Sequence, residues 1–238
     1  MPQLAIFVTL KSKPGKRGAL LELWRERVQK RAAENPLETS YVYSFDMRDD
    51  TVVTITEVFE SMEAFHLTSH SEWFKAYMKE VAQLLDGEPK YHMATPQWTK
   101  STSLGSQATL LQPSQSTMTK LVNRLPASGM FKKMQEYLAT QLAISVSLKA
   151  KPGMRDAVKL LWDERVRQRA LENPAETNYV YAFDVRDDTI IRIAQVFETM
   201  DAFHQIAHAK WFKNYMREVT LLLDGKPEYQ MATPQWVK

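Results

Sequence analysis

The sequence contains no cysteine, and this absence removes several kinds of chemistry. Without thiols the chain has no disulfide framework, no thiol nucleophile, no iron–sulfur ligands and no cysteine-based zinc site. Only 7 glycines occur in 238 residues and none of them cluster, so a Gly-rich phosphate loop for a nucleotide or flavin is missing. A G-x-S-x-G nucleophile elbow is missing too. A bound nucleotide or flavin would therefore need another kind of binding site.

Long apolar runs are also missing from the chain. No window approaches the roughly 18 consecutive apolar residues of a membrane span, and the N-terminal stretch lacks the regions of a signal peptide. These features predict a cytoplasmic protein without a membrane partner. The net charge of +3 comes without a Lys/Arg-dense stripe interleaved with aromatic residues, so nucleic acid is not an expected partner.

An internal repeat organises most of the chain. Residues 3–100 align without a gap on residues 141–238, and about 62 of the 98 pairs are identical. We therefore predict one domain over residues 1–100 and a second over 138–238. The segment 101–137, rich in Ser, Thr and Gln at its start, is predicted to be a linker with a possible short helix. Such a linker is long enough for the two repeats to pack as an intramolecular pseudo-dimer, and further homo-oligomerisation stays open.

Each repeat shows the pattern β-α-β-β-α-β. Strand-like alternation covers "LAIFVTL" and "YVYSF", a helical pattern follows the first strand, and "TVVTITEVF" is β-branched. A second helix is predicted from the cap Ser61 to about Leu85. This order is typical of the ferredoxin-like split βαβ unit. The fold class is thus α+β, with two ferredoxin-like domains whose sheets combine into one pseudo-dimeric α+β barrel.

Four of the five histidines lie on the second helix of the two repeats. On the predicted helix, His66, His70, Trp73 and Tyr77 share one broad face. One interpretation is that the aromatic residues belong to the core and the histidines to its boundary. A second is that the face lines a pocket in which an imidazole binds or deprotonates a phenol-like substrate. A third is a metal site formed by Glu63, His66 and His70, although this spacing is unspecific.

The functional interpretation yields a set of candidate residues in each repeat. The candidate catalytic residues are His66, His70, His204 and His208, and no metal ligand is assigned. The candidate substrate-binding residues are aromatic side chains of the strands and helices. They are Tyr41, Tyr43, Phe59, Phe65, Trp73 and Tyr77 in the first repeat and Tyr179, Tyr181, Phe197, Phe203, Trp211 and Tyr215 in the second.

The segment from the third strand into the second helix resembles the antibiotic-biosynthesis monooxygenase family. The family pattern E-x-[WF]-x-[ST]-x-x-A followed by histidine is matched in the first repeat by Glu57, Phe59, Ser61, Ala64 and His66. The second repeat has Gln195, Phe197, Thr199, Ala202 and His204 at these positions. The "KPG" turns at 13–15 and 151–153 are similar to the family as well.

The resemblance implies a dimeric α+β barrel that oxidises aromatic, quinol or polyketide-derived substrates of secondary metabolism with O₂, without metal, haem or flavin. The expected partners are therefore a small aromatic substrate and O₂. Two alternatives stay open, namely a non-redox cyclase, decarboxylase or isomerase and a non-catalytic barrel that binds small molecules.

Polar differences between the repeats predict that the two pockets are not equivalent. They affect the third strand and the last strand. The pairs are Thr54 and Arg192, Thr56 and Ala194, Glu57 and Gln195, and His92 and Gln230.

Overall fold

The structure is a computed structural model that describes residues 2–101 and 136–238. The predicted linker therefore lies almost entirely outside the described residues, together with most of its possible short helix. Residues 136–138 are helical and lead into the second repeat.

The two repeats contain eight strands and six helices, three helices in each repeat. The first repeat contains β1 (Leu4–Lys11), α1 (Arg17–Trp24, then a π-helical turn Arg25–Gln29 and a final turn Lys30–Glu34), β2 (Glu38–Asp46), β3 (Val52–Phe59), α2 (Met62–Ser69), α3 (Glu72–Leu84) and β4 (Lys90–Ser101). The second contains β5 (Leu142–Lys149), α4 (Arg155–Trp162, then a π-helical turn Asp163–Arg167 and a final turn Gln168–Glu172), β6 (Glu176–Asp184), β7 (Ile190–Phe197), α5 (Met200–His208), α6 (Lys210–Thr220) and β8 (Glu228–Val237). None of these helices is both long and apolar enough to cross a bilayer.

All eight strands join in one closed antiparallel barrel. Its strand order is β1-β3-β2-β8-β5-β7-β6-β4, so each repeat contributes a four-stranded sheet. The two sheets are joined through their edges, where β2 pairs with β8 and β4 pairs with β6. Closure leaves no free sheet edge in the barrel, which explains why two repeats pack as one unit. The predicted pseudo-dimeric α+β barrel is confirmed.

Small side chains fill the inside of the barrel, while the helices cover its outside. One interior cluster contains four buried alanines, Ala5, Ala94, Ala182 and Ala194. In the same interior Asn178 Nδ2 donates a hydrogen bond to Ser40 Oγ at 2.8 Å, joining the two repeats. Small residues on the inner faces let the two sheets approach closely, so little internal space is left for a ligand.

Two of the polar differences between the repeats lie at the two seams of the barrel, which are the β4–β6 and β2–β8 pairings that join the sheets. Arg192 Nε donates to Asp184 Oδ2 at 2.6 Å, and its Nη2 lies 2.8 Å from His92 Nδ1 of the other repeat. At the opposite seam Gln230 Nε2 donates to Asp46 Oδ2 at 3.0 Å. Each seam therefore has its own polar contacts. Arg192 and His92 contact each other at one seam, whereas Gln230, the counterpart of His92, contacts Asp46 at the other.

The second helix of each repeat is broken in the middle. In the first repeat it stops at Ser69, and Ser71 is extended (φ −66°, ψ 147°) before α3 begins. In the second repeat Ala209 is extended in the same way, with ψ at 140°. The prediction of one continuous helix from Ser61 to about Leu85 is therefore wrong, although Ser61 does cap α2 by accepting from Ala64 N at 3.1 Å. Residues before and after the break no longer share one helical face.

Candidate active site

A cavity of about 620 Å³ lies in the second repeat, between the outer face of its sheet and its helices. This volume is typical of a site for a small organic ligand. Strands β5, β6 and β7 form its floor, and α4, α5 and α6 form its walls. The lining is mostly apolar, and its main polar members are Arg169, Glu172, Asn173, Glu176, Tyr179, Gln195, Gln205 and Tyr229.

The corresponding cavity of the first repeat is much smaller, at about 40 Å³. It is lined by equivalent positions, among them Glu38, Tyr41, Glu57 and Trp73. A space of this size holds about one water molecule. The two pockets thus differ in volume, and the predicted difference in their activity stays a prediction.

Most of the predicted aromatic residues line one of the two cavities. The large cavity is lined by Tyr179, Phe197, Phe203, Trp211 and Tyr215. The small cavity is lined by Tyr41, Phe59, Phe65 and Trp73.

The other three predicted aromatic residues belong to the packed core. The rings of Tyr43 and Tyr181 pack against Trp24 and Trp162, with centroids 4.8 and 4.4 Å apart. Tyr77 is buried in the core cluster of the first repeat. None of the three is among the residues that line either cavity.

The four histidines do not line either cavity. His66, His70 and His208 are exposed and His204 is half-buried. His70 Nδ1 lies 3.1 Å from His66 O at the end of α2, and its ring is 5.1 Å from that of His66. The helix break explains this placement, since it separates the histidines from the aromatic residues of α3 and α6. Their predicted role as bases gains no support from their positions.

The helix break over the cavity differs between the repeats. Ser71 Oγ donates to Thr68 O at 2.6 Å and accepts from Phe74 N at 3.4 Å, which ties α2 to α3. Ala209 has no side chain for this role, and α6 begins without a side-chain cap. Helices α2 and α3, which Ser71 joins, cover the small cavity. Helices α5 and α6, which lack this contact, cover the large one.

We expect Ser71→Ala to lower the free energy of unfolding by about 1 kcal/mol, because it removes an N-cap. The matched change Ala209→Ser adds a cap to α6 and is expected to raise this free energy by up to about 1 kcal/mol. Urea unfolding of both variants measures the two effects. Equal and negligible effects at both positions would contradict the assigned capping role of Ser71.

Two buried glutamates are the site residues that the sequence analysis missed. Glu38 and Glu176 begin β2 and β6, are 4% and 2% exposed, and line the small and the large cavity. Glu176 Oε1 is buried and accepts no hydrogen bond from the described residues. Burial raises the pKa of Glu176 to about 8, and the nearby charge of Lys100 opposes this effect. The carboxyl can therefore exchange a proton near neutral pH. The available signal was an acidic residue kept at the same position in both repeats, at the start of a strand.

Glu57 gives the small cavity a second carboxyl group. Trp24 Nε1 donates to Tyr41 Oη at 2.7 Å, and the Tyr41 hydroxyl in turn donates to Glu57. Glu57 lines the small cavity, and burial raises its pKa. Burial raises the pKa of Glu38 too, and the neighbouring Glu57 raises it further. Gln195 replaces Glu57 in the large cavity, which therefore has one such carboxyl instead of two.

The last strand of each repeat completes the core of the other. Trp236 of β8 packs against Trp24 and Tyr41 of the first repeat, with ring centroids 5.3 and 5.5 Å apart. Trp98 of β4 packs in the same way against Trp162 and Tyr179 of the second repeat. Neither repeat alone therefore has a complete wall behind its cavity.

The alternative of a metal site at the second helix is not supported by the structure. Within residues 2–101 and 136–238, no group of three or more His, Asp or Glu side chains is arranged to hold a metal ion. Glu63, His66 and His70 are all exposed on α2 and the residue that follows it.

These features define the protein as a duplicated α+β barrel with a ligand-sized cavity between helices and sheet. Residues 4–80 match the family model described as antibiotic biosynthesis monooxygenase. The match lies within the first repeat and confirms the resemblance noted in the sequence. No match is found among curated proteins.

Solved structures with the same fold span the whole chain. One is a protein from Fusobacterium nucleatum, provisionally named a monooxygenase, with a TM-score of 0.79 and 13% identity over 100% of this chain and 94% of its own. A similarly named protein from Lactobacillus acidophilus has a TM-score of 0.75 and 8% identity over 100% and 96%. An anthrone oxidase-like protein has a TM-score of 0.59 and 12% identity over 100% and 93%. At these identities the similarity establishes the shared two-repeat barrel.

Proposed function

We propose that the chain is a cofactor-independent monooxygenase that oxidises an aromatic, quinol or polyketide-derived substrate with O₂ in secondary metabolism. The observation that carries the proposal is the cavity of about 620 Å³, lined by aromatic side chains and by the buried Glu176, in a chain that carries this family's domain. The second repeat is proposed to hold the working site. The first repeat has the same framework but space for about one water molecule.

The proposed chemistry begins with proton transfer to Glu176. The carboxylate removes a proton from a phenolic hydroxyl or from an acidic carbon of the substrate, which leaves an electron-rich anion. This anion reduces O₂, and recombination forms a carbon–oxygen bond in a substrate peroxide. Loss of water from the peroxide leaves a carbonyl group. One oxygen atom enters the product and the other leaves as water, and the substrate CH₂ or ring CH supplies all four electrons.

The lining of the cavity suits this chemistry. Burial holds the pKa of Tyr179 well above its usual value, so its hydroxyl stays protonated. Its oxygen accepts a hydrogen bond from Trp162 Nε1 at 2.8 Å, which fixes its position. Arg169 lies over the ring of Trp211 at 4.9 Å, and both line the cavity. An apolar site of this kind orients a flat ring and limits the access of water to the anion.

The test is turnover of a panel of quinols, anthrones and naphthols by the metal-stripped full chain, with and without O₂. We expect product only in air, with one oxygen atom from ¹⁸O₂ in the product. Turnover that does not depend on O₂ would support the non-redox enzyme. Tight binding across the panel without turnover would support the non-catalytic barrel.

A pair of matched variants locates the working site. Ala207 lines the large cavity, and Ser69 is its counterpart beside the small one. We expect Ala207→Trp to lower kcat/KM at least tenfold, because the indole occupies space needed by the substrate, whereas Ser69→Trp leaves kcat/KM within about twofold. The reverse pattern would assign the reaction to the first repeat. Circular dichroism verifies that both variants are folded.

A further inference from the structure

The last strand of each repeat pairs with the sheet of the other repeat, and its end places a lysine at the cavity there. Lys100 at the end of β4 lies opposite Tyr179 of β6, and its Nζ donates to Ala170 O at 2.8 Å and to Asn173 O at 2.6 Å. Both carbonyls lie at the end of α4. Lys238 repeats this arrangement, donating to Ala32 O at 2.7 Å and to Asn35 O at 2.6 Å in the first repeat. The contact is thus a feature of both halves of the barrel.

Lys100 and Glu176 meet at the same backbone carbonyl. Asn173 O accepts from Lys100 Nζ and also from the Glu176 backbone N–H, at 3.3 Å. Asn173 and Glu176 line the large cavity. The ion pairs of the described residues do not include Lys100, so its positive charge is not neutralised by a direct carboxylate contact. A half-buried ammonium group in this position favours the ionised form of a nearby buried carboxyl.

The other polar groups around Glu176 do not supply this charge. Arg169 donates to Arg165 O at 2.8 Å and stacks on Trp211 at the outer part of α4. Glu172 is exposed and accepts from Gln168 at 2.6 Å. The hydroxyls of Tyr179 on its own strand, Tyr215 of α6 and Tyr229 of β8 are neutral at physiological pH, because burial raises the pKa of each. The side chain of Gln195 on β7 carries no charge.

We infer that Lys100, supplied by the first repeat, is the positioning residue that keeps Glu176 ionisable in the cavity of the second repeat. The proposed base then works only when both repeats close into one barrel. This inference rests on the proposed function for the role of Glu176 in turnover. The electrostatic coupling between the two side chains can be measured without it.

The test is a carboxyl ¹³C NMR titration of the full chain, in which the Glu176 signal is assigned by its loss in Glu176→Gln. Lys100→Met removes the charge and the donor, Lys100→Gln removes the charge and keeps a donor, and Lys100→Arg keeps the charge. We expect the titration midpoint of Glu176 to rise by about one pH unit or more in the first two variants and to stay at the wild-type value in the third. Lys238→Met is the matched control, which acts on Glu38 and leaves the Glu176 midpoint unchanged.

The same variants separate a charge effect from a structural one. If Lys100→Gln keeps the wild-type midpoint, the lysine acts as a hydrogen-bond donor and the inference is overturned. An unchanged midpoint in Lys100→Met overturns it as well. In the activity assay the pH profile of kcat/KM should move by the same amount as the NMR midpoint. A shifted midpoint without any O₂-dependent turnover would reject the proposed function and retain the coupling.

Discussion

Glu176→Gln is expected to lower kcat for O₂-dependent turnover by about 10²- to 10⁴-fold, the usual contribution of a general base. The amide has nearly the shape of the carboxyl but cannot take up a proton. Substrate affinity should change little, because the aromatic lining of the cavity is untouched. Stopped-flow and steady-state kinetics on the best substrate of the panel measure both quantities.

The pH profile gives this prediction a second readout. Since the pKa of Glu176 is raised to about 8, the base is mostly protonated at pH 6 and mostly ionised at pH 9. We therefore expect kcat/KM to increase through this range in the wild type and to lose this increase in the variant. Glu38→Gln is the matched change in the first repeat and should retain turnover. Comparable losses from both changes would indicate two working sites or a shared structural effect.

Glu57→Gln is expected to stabilise the protein by about 1 kcal/mol or more at pH 8, since each pKa unit of difference between folded and unfolded states is worth about 1.4 kcal/mol. Burial raises the pKa of this carboxyl, so folding favours its protonated form. The resulting cost is absent below the pKa of the unfolded chain and develops as the pH rises through the folded pKa. At pH 4 the variant should match the wild type.

The natural counterpart of this change is already present in the chain. Gln195 occupies the same position in the second repeat, so the fold accepts glutamine there. The reciprocal variant Gln195→Glu should therefore destabilise the protein at pH 8 and have little effect at pH 4. Chemical denaturation at both pH values measures the four free energies. A Glu57→Gln variant that is less stable than the wild type at pH 8 would show that the ionised carboxyl is well compensated in the small cavity.

The fold was predictable from the sequence because its signals are local and repeated. The alternation of Tyr41, Tyr43 and Phe45 follows the strand period, and the repeat of residues 3–100 as residues 141–238 predicted two matching sheets. Of the twelve aromatic residues predicted to bind substrate, nine line one of the two cavities. The prediction failed for Tyr43 and Tyr181, whose rings pack against Trp24 of α1 and Trp162 of α4, and for Tyr77, which is buried in the core of the first repeat.

The catalytic part of the site was less predictable, for physical reasons. A single extended residue, Ser71 or Ala209, breaks the second helix. Serine is a common N-cap, but alanine is the strongest helix former, so the two repeats share no signal for the break. The helical face that joined the histidines to the aromatic residues therefore does not exist. Glu176 is the first residue of its strand, a position at which many acidic residues are solvated, but here the end of α4 and Lys100 of the other repeat cover it. That cover comes from a contact between distant parts of the chain, which local patterns do not report.

The pairing of β8 with β2 of the first repeat also sets the order in which the chain can fold during synthesis. The core of the first repeat is completed by Trp236, so about 140 further residues must leave the ribosome after β4 before that core can close. Contacts of such long sequence separation slow folding, because the chain loses loop entropy before it gains the contact. Until then the nascent first repeat exposes Trp24 and the unpaired edge of β2. We expect its amides to gain protection from hydrogen exchange only when β8 has been synthesised.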